Sequence, residues 1–254
     1  MKIRMLGTGY GECKVKKKTS KDYRKMGGVL IDDTLLIDAP SDIFEVAEEL
    51  GYSDLFDGVD SVIISHSHKG HFSRETIERL AEKKKIRVYA SRFVLSSLSD
   101  LKNIELFPIS LFTQFNTGKY SVAVVPSNHV TDIPDEDAFN FIVMGERNLF
   151  YCLDGGWINS RAFSAVKQLK LDALIMDCAL ETAPPTEKNL FHNDIHTLAR
   201  IKAIFDSAGI THEKTRFILS HLPSLKKREI HDELTPIASG YGMTVAYDGY
   251  FITL

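Results

Sequence analysis

The sequence predicts one α/β domain in which mixed β-sheets pack on each other and helices lie outside. Three observations carry this. Short apolar, β-branched runs alternate with amphipathic helical segments over most of the chain. Between residues 121 and 153 strand segments follow one another with no helix between them, so the sheets cannot be wholly parallel. The 254 residues carry no repeat and no low-complexity tract, which fits one domain over 1–254.

In chain order, residues 2–6 (KIRML) read as a strand and 29–37 (VLIDDTLLI) as two strands reversing through Asp32 and Asp33. The next segment reads as a helix with Ile43, Val46, Ala47 and Leu50 on one face. Asp42 and Glu45 have the spacing of a capping box at its start, and Gly51 stops it. Strand 61–65 (SVIIS) precedes a histidine-rich loop, and 73–85 reads as the following helix. Further strands are predicted at 87–90, 121–125, 139–144, 148–153, 173–177, 216–220 and 243–247. Helices are predicted near 159–169, 194–208 and 225–234, the last stopping short of Pro236. Residues 10–28 form a basic, glycine-flanked irregular stretch.

Composition excludes some classes. With 44% apolar residues, 26% charged residues and a net charge of −3, the chain does not read as a protein that coats nucleic acid. No apolar run approaches the ~18–20 residues of a membrane span. Cys13, Cys152 and Cys178 are odd in number and widely spaced, so neither a disulfide framework nor a cysteine zinc site is expected. A cytoplasmic, reducing location is the expectation.

The segment IISHSHKGHF places His66, His68 and His71 just past a buried strand. On extended backbone His66 and His68 project to the same side, and a turn at Gly70 would bring His71 back toward them. Neutral imidazoles clustered in this way suit a divalent transition metal such as zinc. The simpler alternative is a hydrogen-bonded polar turn.

SHSHKGH resembles the HxHxDH signature of the metallo-β-lactamase superfamily, with Gly70 in the aspartate slot. The resemblance spans nearly the whole chain. MKIRMLGTG is similar to that superfamily's opening strand and turn, and LLIDAP to its second motif, which places Asp38 beside the histidine loop. PSNH, LFYCLDGG and FILSHL offer His129, Asp154 and His221 in that order, and VAYDGYFITL resembles the closing strand pair.

The resemblance implies a four-layer αββα sandwich with metals at the edge of two sheets. It implies that His66, His68 and His129 hold one ion, that His71 and His221 hold a second, and that Asp154 bridges. Zinc or manganese, one or two per chain, is the implied cofactor. The C-terminal half resembles the branch that contains the phosphoribosyl cyclic phosphodiesterase and the tRNA 3′-processing endonuclease. There it implies an acidic strand end at Asp177 and a catalytic histidine at His192, before a helix whose free N–H groups favour an anion. His196 reads as a helix-face residue. Cys13 stands alone, so the structural zinc of the cyclic phosphodiesterase is not expected.

Glycine has no donor atom, so the second metal is expected to be weakened, with Asp38 the first carboxylate that could substitute and a second candidate catalytic residue. The expected activity is hydrolysis of a small or cyclic phosphodiester by metal-activated water, with His192 as general acid. The alternatives are a lactone or thioester hydrolase, a nuclease, and a non-catalytic metal- or nucleotide-binding relative. The basic run KVKKK with Arg24 and Lys25 could meet phosphates or simply be a solvated face. The oligomeric state, monomer or homodimer, is left open.

Overall fold

The structure, a computed structural model, describes residues 1–226 and 228–254. Its strands are β1 (Lys2–Met5), β2 (Gly9–Tyr10), β3 (Val29–Ile31), β4 (Leu35–Ile37), β5 (Ser61–Ile63), β6 (Ile86–Ala90), β7 (Ile104–Pro108) and β8 (Gln114–Thr117). They continue with β9 (Tyr120–Pro126), β10 (Phe139–Met144), β11 (Leu149–Cys152), β12 (Ala173–Asp177), β13 (Arg216–Ser220), β14 (Leu222–Pro223), β15 (Thr244–Val245) and β16 (Phe251–Thr253). The helices are α1 (Ile43–Glu49), α2 (Arg74–Ala81), α3 (Arg92–Ser96), α4 (Ser160–Val166), α5 (Ile195–Ser207) and α6 (Ile230–Gly240).

Two seven-stranded mixed sheets result, ordered β16-β1-β3-β4-β5-β6-β7 and β15-β13-β12-β11-β10-β9-β8. Alternate residues of each strand feed different cores, as the two-residue period of a strand requires. Ile3, Ile31, Ile37 and Ile63 meet Val122, Phe141, Tyr151 and Ile175 between the sheets. Leu30, Leu36, Val62 and Val88 face the opposite way and pack with Ile43, Ile77 and Val94 of α1, α2 and α3. Phe150, Leu174, Met176 and Leu219 do the same with Ala162, Leu198, Ile201 and Leu234 of α4, α5 and α6. Three apolar layers between four tiers of secondary structure make the predicted αββα sandwich. No described helix is long and apolar enough to cross a membrane.

Several sequence expectations are corrected. Asp42 does not cap α1; its carboxylate accepts from the Met26 N–H, and Glu45 pairs with Lys25. The last helix does not stop before Pro236 but runs from Ile230 to Gly240, because Ile230, Leu234 and Ala238 continue one buried stripe past the proline. The predicted range 225–234 includes Lys227, which lies outside the described residues. The closing segment is not one strand pair. β15 joins β13 in the second sheet, whereas β16 pairs with β1 in the first. α3, β7 and β8 have no counterpart among the sequence expectations.

Candidate metal centre

The strands that deliver the cluster end at one edge of the sandwich. β4 and β5 are parallel neighbours, and so are β11, β12 and β13. Just beyond their ends stand Asp38, His66, Asp154 and His221, and His129 follows β9. Asp38, Asp154 and His221 all take positive φ, at 62°, 49° and 58°. Non-glycine residues held there cost of order 1–3 kcal/mol each and cluster at functional sites. The Gly70 turn forms as expected: the N–H groups of His71 and Phe72 both donate to the His68 carbonyl.

Two donor sets meet. In the first, His68 Nδ1 lies 3.1 Å from His66 Nε2 and 3.1 Å from His129 Nε2. Asp154 Oδ2 stands 3.4 Å from His66 Nε2 and 3.9 Å from His129 Nε2. In the second, Asp154 Oδ2 is 2.7 Å from His71 Nε2, and Oδ1 is 2.6 Å from His221 Nε2. Within each set the ligand atoms lie within 4.8 Å of one another. Asp154 belongs to both.

The donors fit a pair of metal ions. Two nitrogens bound at about 2.0–2.1 Å on a tetrahedral ion stand about 3.3 Å apart, close to the imidazole separations here. His71 Nε2 and Asp154 Oδ1 are buried without a hydrogen-bond partner, despite their short distances to neighbouring polar atoms. Burial pushes His66 down to about 3 and His129 down to about 4, so both rings are neutral at physiological pH, as ligation requires. For His71 burial acts downward, but Asp154 and Asp38 outweigh it and push the pKa up to about 10. The field that holds a proton on that ring also favours a cation. Asp154 is held well below the usual carboxylate range: burial opposes this, and His221 and His71 overcome it.

Asp38 does not sit at the centre with a free oxygen. It is completely buried, and its oxygens accept from Ser65 N–H at 2.8 Å, Ser65 Oγ at 3.0 Å and Tyr151 OH at 2.6 Å. Oδ2 also lies 2.7 Å from His71 Nδ1, which fixes the ring with Nε2 toward Asp154. Asp38 thus lies behind His71 with its oxygens already engaged, and it is not among the residues that line the cleft. Gly70 itself has room: a Cβ there would meet only Met26 Sδ, at 3.9 Å, and its φ is not positive.

His192 stands beside the cluster, its Nδ1 3.4 Å from Asp154 Oδ1 and 3.7 Å from Asp177 Oδ1. Burial lowers its pKa, and the two aspartates more than reverse this, for a net rise. The expected anion site at the following helix does not form. Asp194 caps α5 and takes the His196 and Thr197 N–H groups itself. His196 is exposed on the helix face. Asp177 receives the N–H groups of Gly155, Ala179 and Asn193 and thereby anchors the Asp154 loop.

Other site residues carry no sequence signal. Glu136, almost buried, accepts from Ser67 Oγ and from Ser91 Oγ, clamping the His129 loop onto the His66–His68 loop. Asn193 Nδ2 and Ser127 Oγ donate to the carbonyls of Gly155 and Asp154. Tyr10, whose GTGYG context hints only at a turn, packs against His192 and His221 at ring distances of 4.9 and 5.1 Å. The basic stretch does not face substrate with Arg24, which is fully buried against Thr8 and the Ala246 carbonyl. Lys25 and Lys18 pair with Glu45 and Glu49. A cleft of about 660 Å³ opens over the histidines.

Two facing mixed sheets with helices on both outer sides, and a histidine–aspartate cluster at their common edge, define the metallo-β-lactamase fold, and this chain has it. It is similar to the zinc-bound PqqB of Methylobacterium extorquens (TM-score 0.74, 17% identity, 100% of each chain covered). It is also similar to the metallo-β-lactamase fold protein YhfI of Bacillus subtilis (TM-score 0.73, 17% identity, 99% of this chain and 98% of that one). Human tRNase Z, short form, gives a TM-score of 0.69 at 16% identity, covering 100% of this chain and 99% of that one. No family model matches the sequence, and no curated protein matches it.

Proposed function

We propose that this protein is a metal-dependent hydrolase that cleaves a small or cyclic phosphodiester. The observation that carries this reading is the pair of donor sets joined at Asp154, with His192 Nδ1 3.4 Å from the shared carboxylate. His66, His68 and His129 would hold one ion, His71 and His221 the other, and Asp154 both. Zinc or manganese bound there would make water nucleophilic at neutral pH and offset charge on the phosphoryl oxygens.

The protein's own groups divide the remaining work. Asp38, braced by Ser65 and Tyr151, keeps His71 in one tautomer and orientation. His192 points Nδ1 at Asp154 and Asp177, which leaves Nε2 to carry a proton to the leaving oxygen. The oxygen of water, one of its protons released to solvent, bonds to phosphorus as the bond from phosphorus to the leaving oxygen breaks. That oxygen departs with the proton from His192. Pairing of Lys18 and Lys25 with glutamates supports a small substrate over a long nucleic acid. The similarity to zinc-bound PqqB supports metal binding, and the similarity to a tRNase supports hydrolysis at such a centre.

The test is metal analysis of protein purified without chelator, then a panel of phosphodiesters, lactones and thioesters with zinc or manganese added. Bound metal and turnover of phosphodiesters are expected, with both reduced in His68→Ala. Turnover of lactones or thioesters alone would replace this reading with the ester-hydrolase alternative. Binding of metal without turnover of any substrate would favour a non-catalytic relative.

A further inference from the structure

The walls of the cleft differ in character from its floor. The floor is the histidine–aspartate cluster. The walls bring together the half-buried Met26 from the irregular stretch, Phe72 ahead of α2, Phe93 from α3, and Ile133 from the His129 loop. These side chains come from four separate segments, and no single amphipathic pattern explains their meeting on a water-facing cleft. Apolar surface left facing water is unfavourable by roughly 25 cal/mol per Å², a penalty that an apolar occupant relieves.

Positive charge in the cleft is sparse, and the exposed carboxylate of Asp132 also lines it, 3.6 Å from His68 Nε2. Lys69 is the one lysine or arginine among the described residues that line it. The nearby Arg24 is buried, and Lys25 is paired with Glu45. One cation suits one negative charge, not the run of phosphates that a nucleic acid presents. Gly70 leaves room in the lining, since a Cβ there would meet only Met26 Sδ, at 3.9 Å.

We infer that the cleft takes a singly charged phosphodiester bearing an apolar substituent, seated against Met26, Phe72, Phe93 and Ile133, with Lys69 facing the negative charge. This rests on the hydrolase reading for its chemistry, but the apolar wall can be measured without turnover.

The experiment titrates dimethyl, diethyl and dibutyl phosphate into zinc-loaded and metal-free protein by calorimetry. Affinity is expected to rise with chain length, by up to about fourfold for each methylene that becomes buried. The rise should have the same slope with and without zinc. Phe93→Ala should flatten it, and Ile133→Ser, on a different segment, should do the same if Phe93→Ala fails to fold. Lys69→Ala should weaken every member by a similar factor and leave the slope intact. Affinity independent of chain length, or a slope unchanged in Phe93→Ala and Ile133→Ser, would overturn the assignment. A parallel assay uses methyl and butyl nitrophenyl phosphodiesters. Rising affinity without turnover would uphold the apolar wall and overturn the hydrolase reading. Turnover without chain-length dependence would do the reverse.

Discussion

The carboxylate of Asp38 and the Nδ1 atom of His71 lie 2.7 Å apart, with neither residue more than 1% exposed. Asp38 stands at the end of β4 and His71 closes the loop between β5 and α2, and the contact turns His71 Nε2 onto Asp154. Asp38→Asn keeps the shape but loses the charge that orients and polarises the ring. Metal held by His71, His221 and Asp154 should then bind about 10–100-fold more weakly, as for other losses behind a ligating histidine. Chelator competition reads this directly. Equal affinity in wild type and variant would mean that His71 needs no such support.

His192→Ala should leave metal content intact while lowering kcat by about 10²–10⁴, the usual loss for a general acid. The deficit should shrink on a nitrophenyl leaving group, which departs with little protonation. Equal losses on good and poor leaving groups would assign His192 to binding or structure.

Gly70→Asp would place a carboxylate where the histidine loop has none. The backbone accepts it, because φ is not positive and only Met26 Sδ lies near a new Cβ. The variant should hold a second metal more tightly, with the His66–His68–His129 site little changed. Wild-type protein should lose one metal first on chelation. Two equally tight metals in wild type, and no gain in the variant, would show that the second set is complete without position 70.

Acid should weaken the metal-free protein partly through His231, whose Nδ1 lies 3.4 Å from Arg24 Nη2. Burial, then Arg24 and Lys21, push its pKa down to about 4. An unfolded histidine titrates near 6.5, so between those values the unfolded chain holds more protons and stability falls as pH drops. Asp248, pushed up to about 6 by burial, acts in the opposite sense, so the comparison must be between variants. The urea midpoint of His231→Gln should fall less than that of wild type between neutral pH and about pH 5. An identical fall would clear His231 of the effect.

Local patterning made most elements legible. Ile195, Leu198, Ile201 and Phe205 announce α5 by spacing alone, and all four are buried. Where the sequence misled, a tertiary term outweighed a local one. Asp42 has a good cap spacing, but the Met26 N–H claims its carboxylate. Pro236 argues for a stop, but the buried stripe of α6 carries the helix on. The N-terminus of α5 looks open to an anion, yet Asp194, only two residues beyond His192, satisfies it.

By itself the sequence placed most of the strands and helices and the histidines at 66, 68 and 71, because strand periodicity and histidine spacing are local properties; His129, Asp154 and His221 came from the resemblance of their motifs. Only the tertiary structure decided what Asp38 does, because its four partners come from Ser65, His71 and Tyr151, up to 113 residues away. It also decided that Glu136 ties two histidine loops together, that Arg24 is interior, and that an apolar wall faces the histidines. For the polar groups the physical reason is common. A buried polar group is satisfied by whatever the fold brings within hydrogen-bond reach, and chain separation carries no information about that.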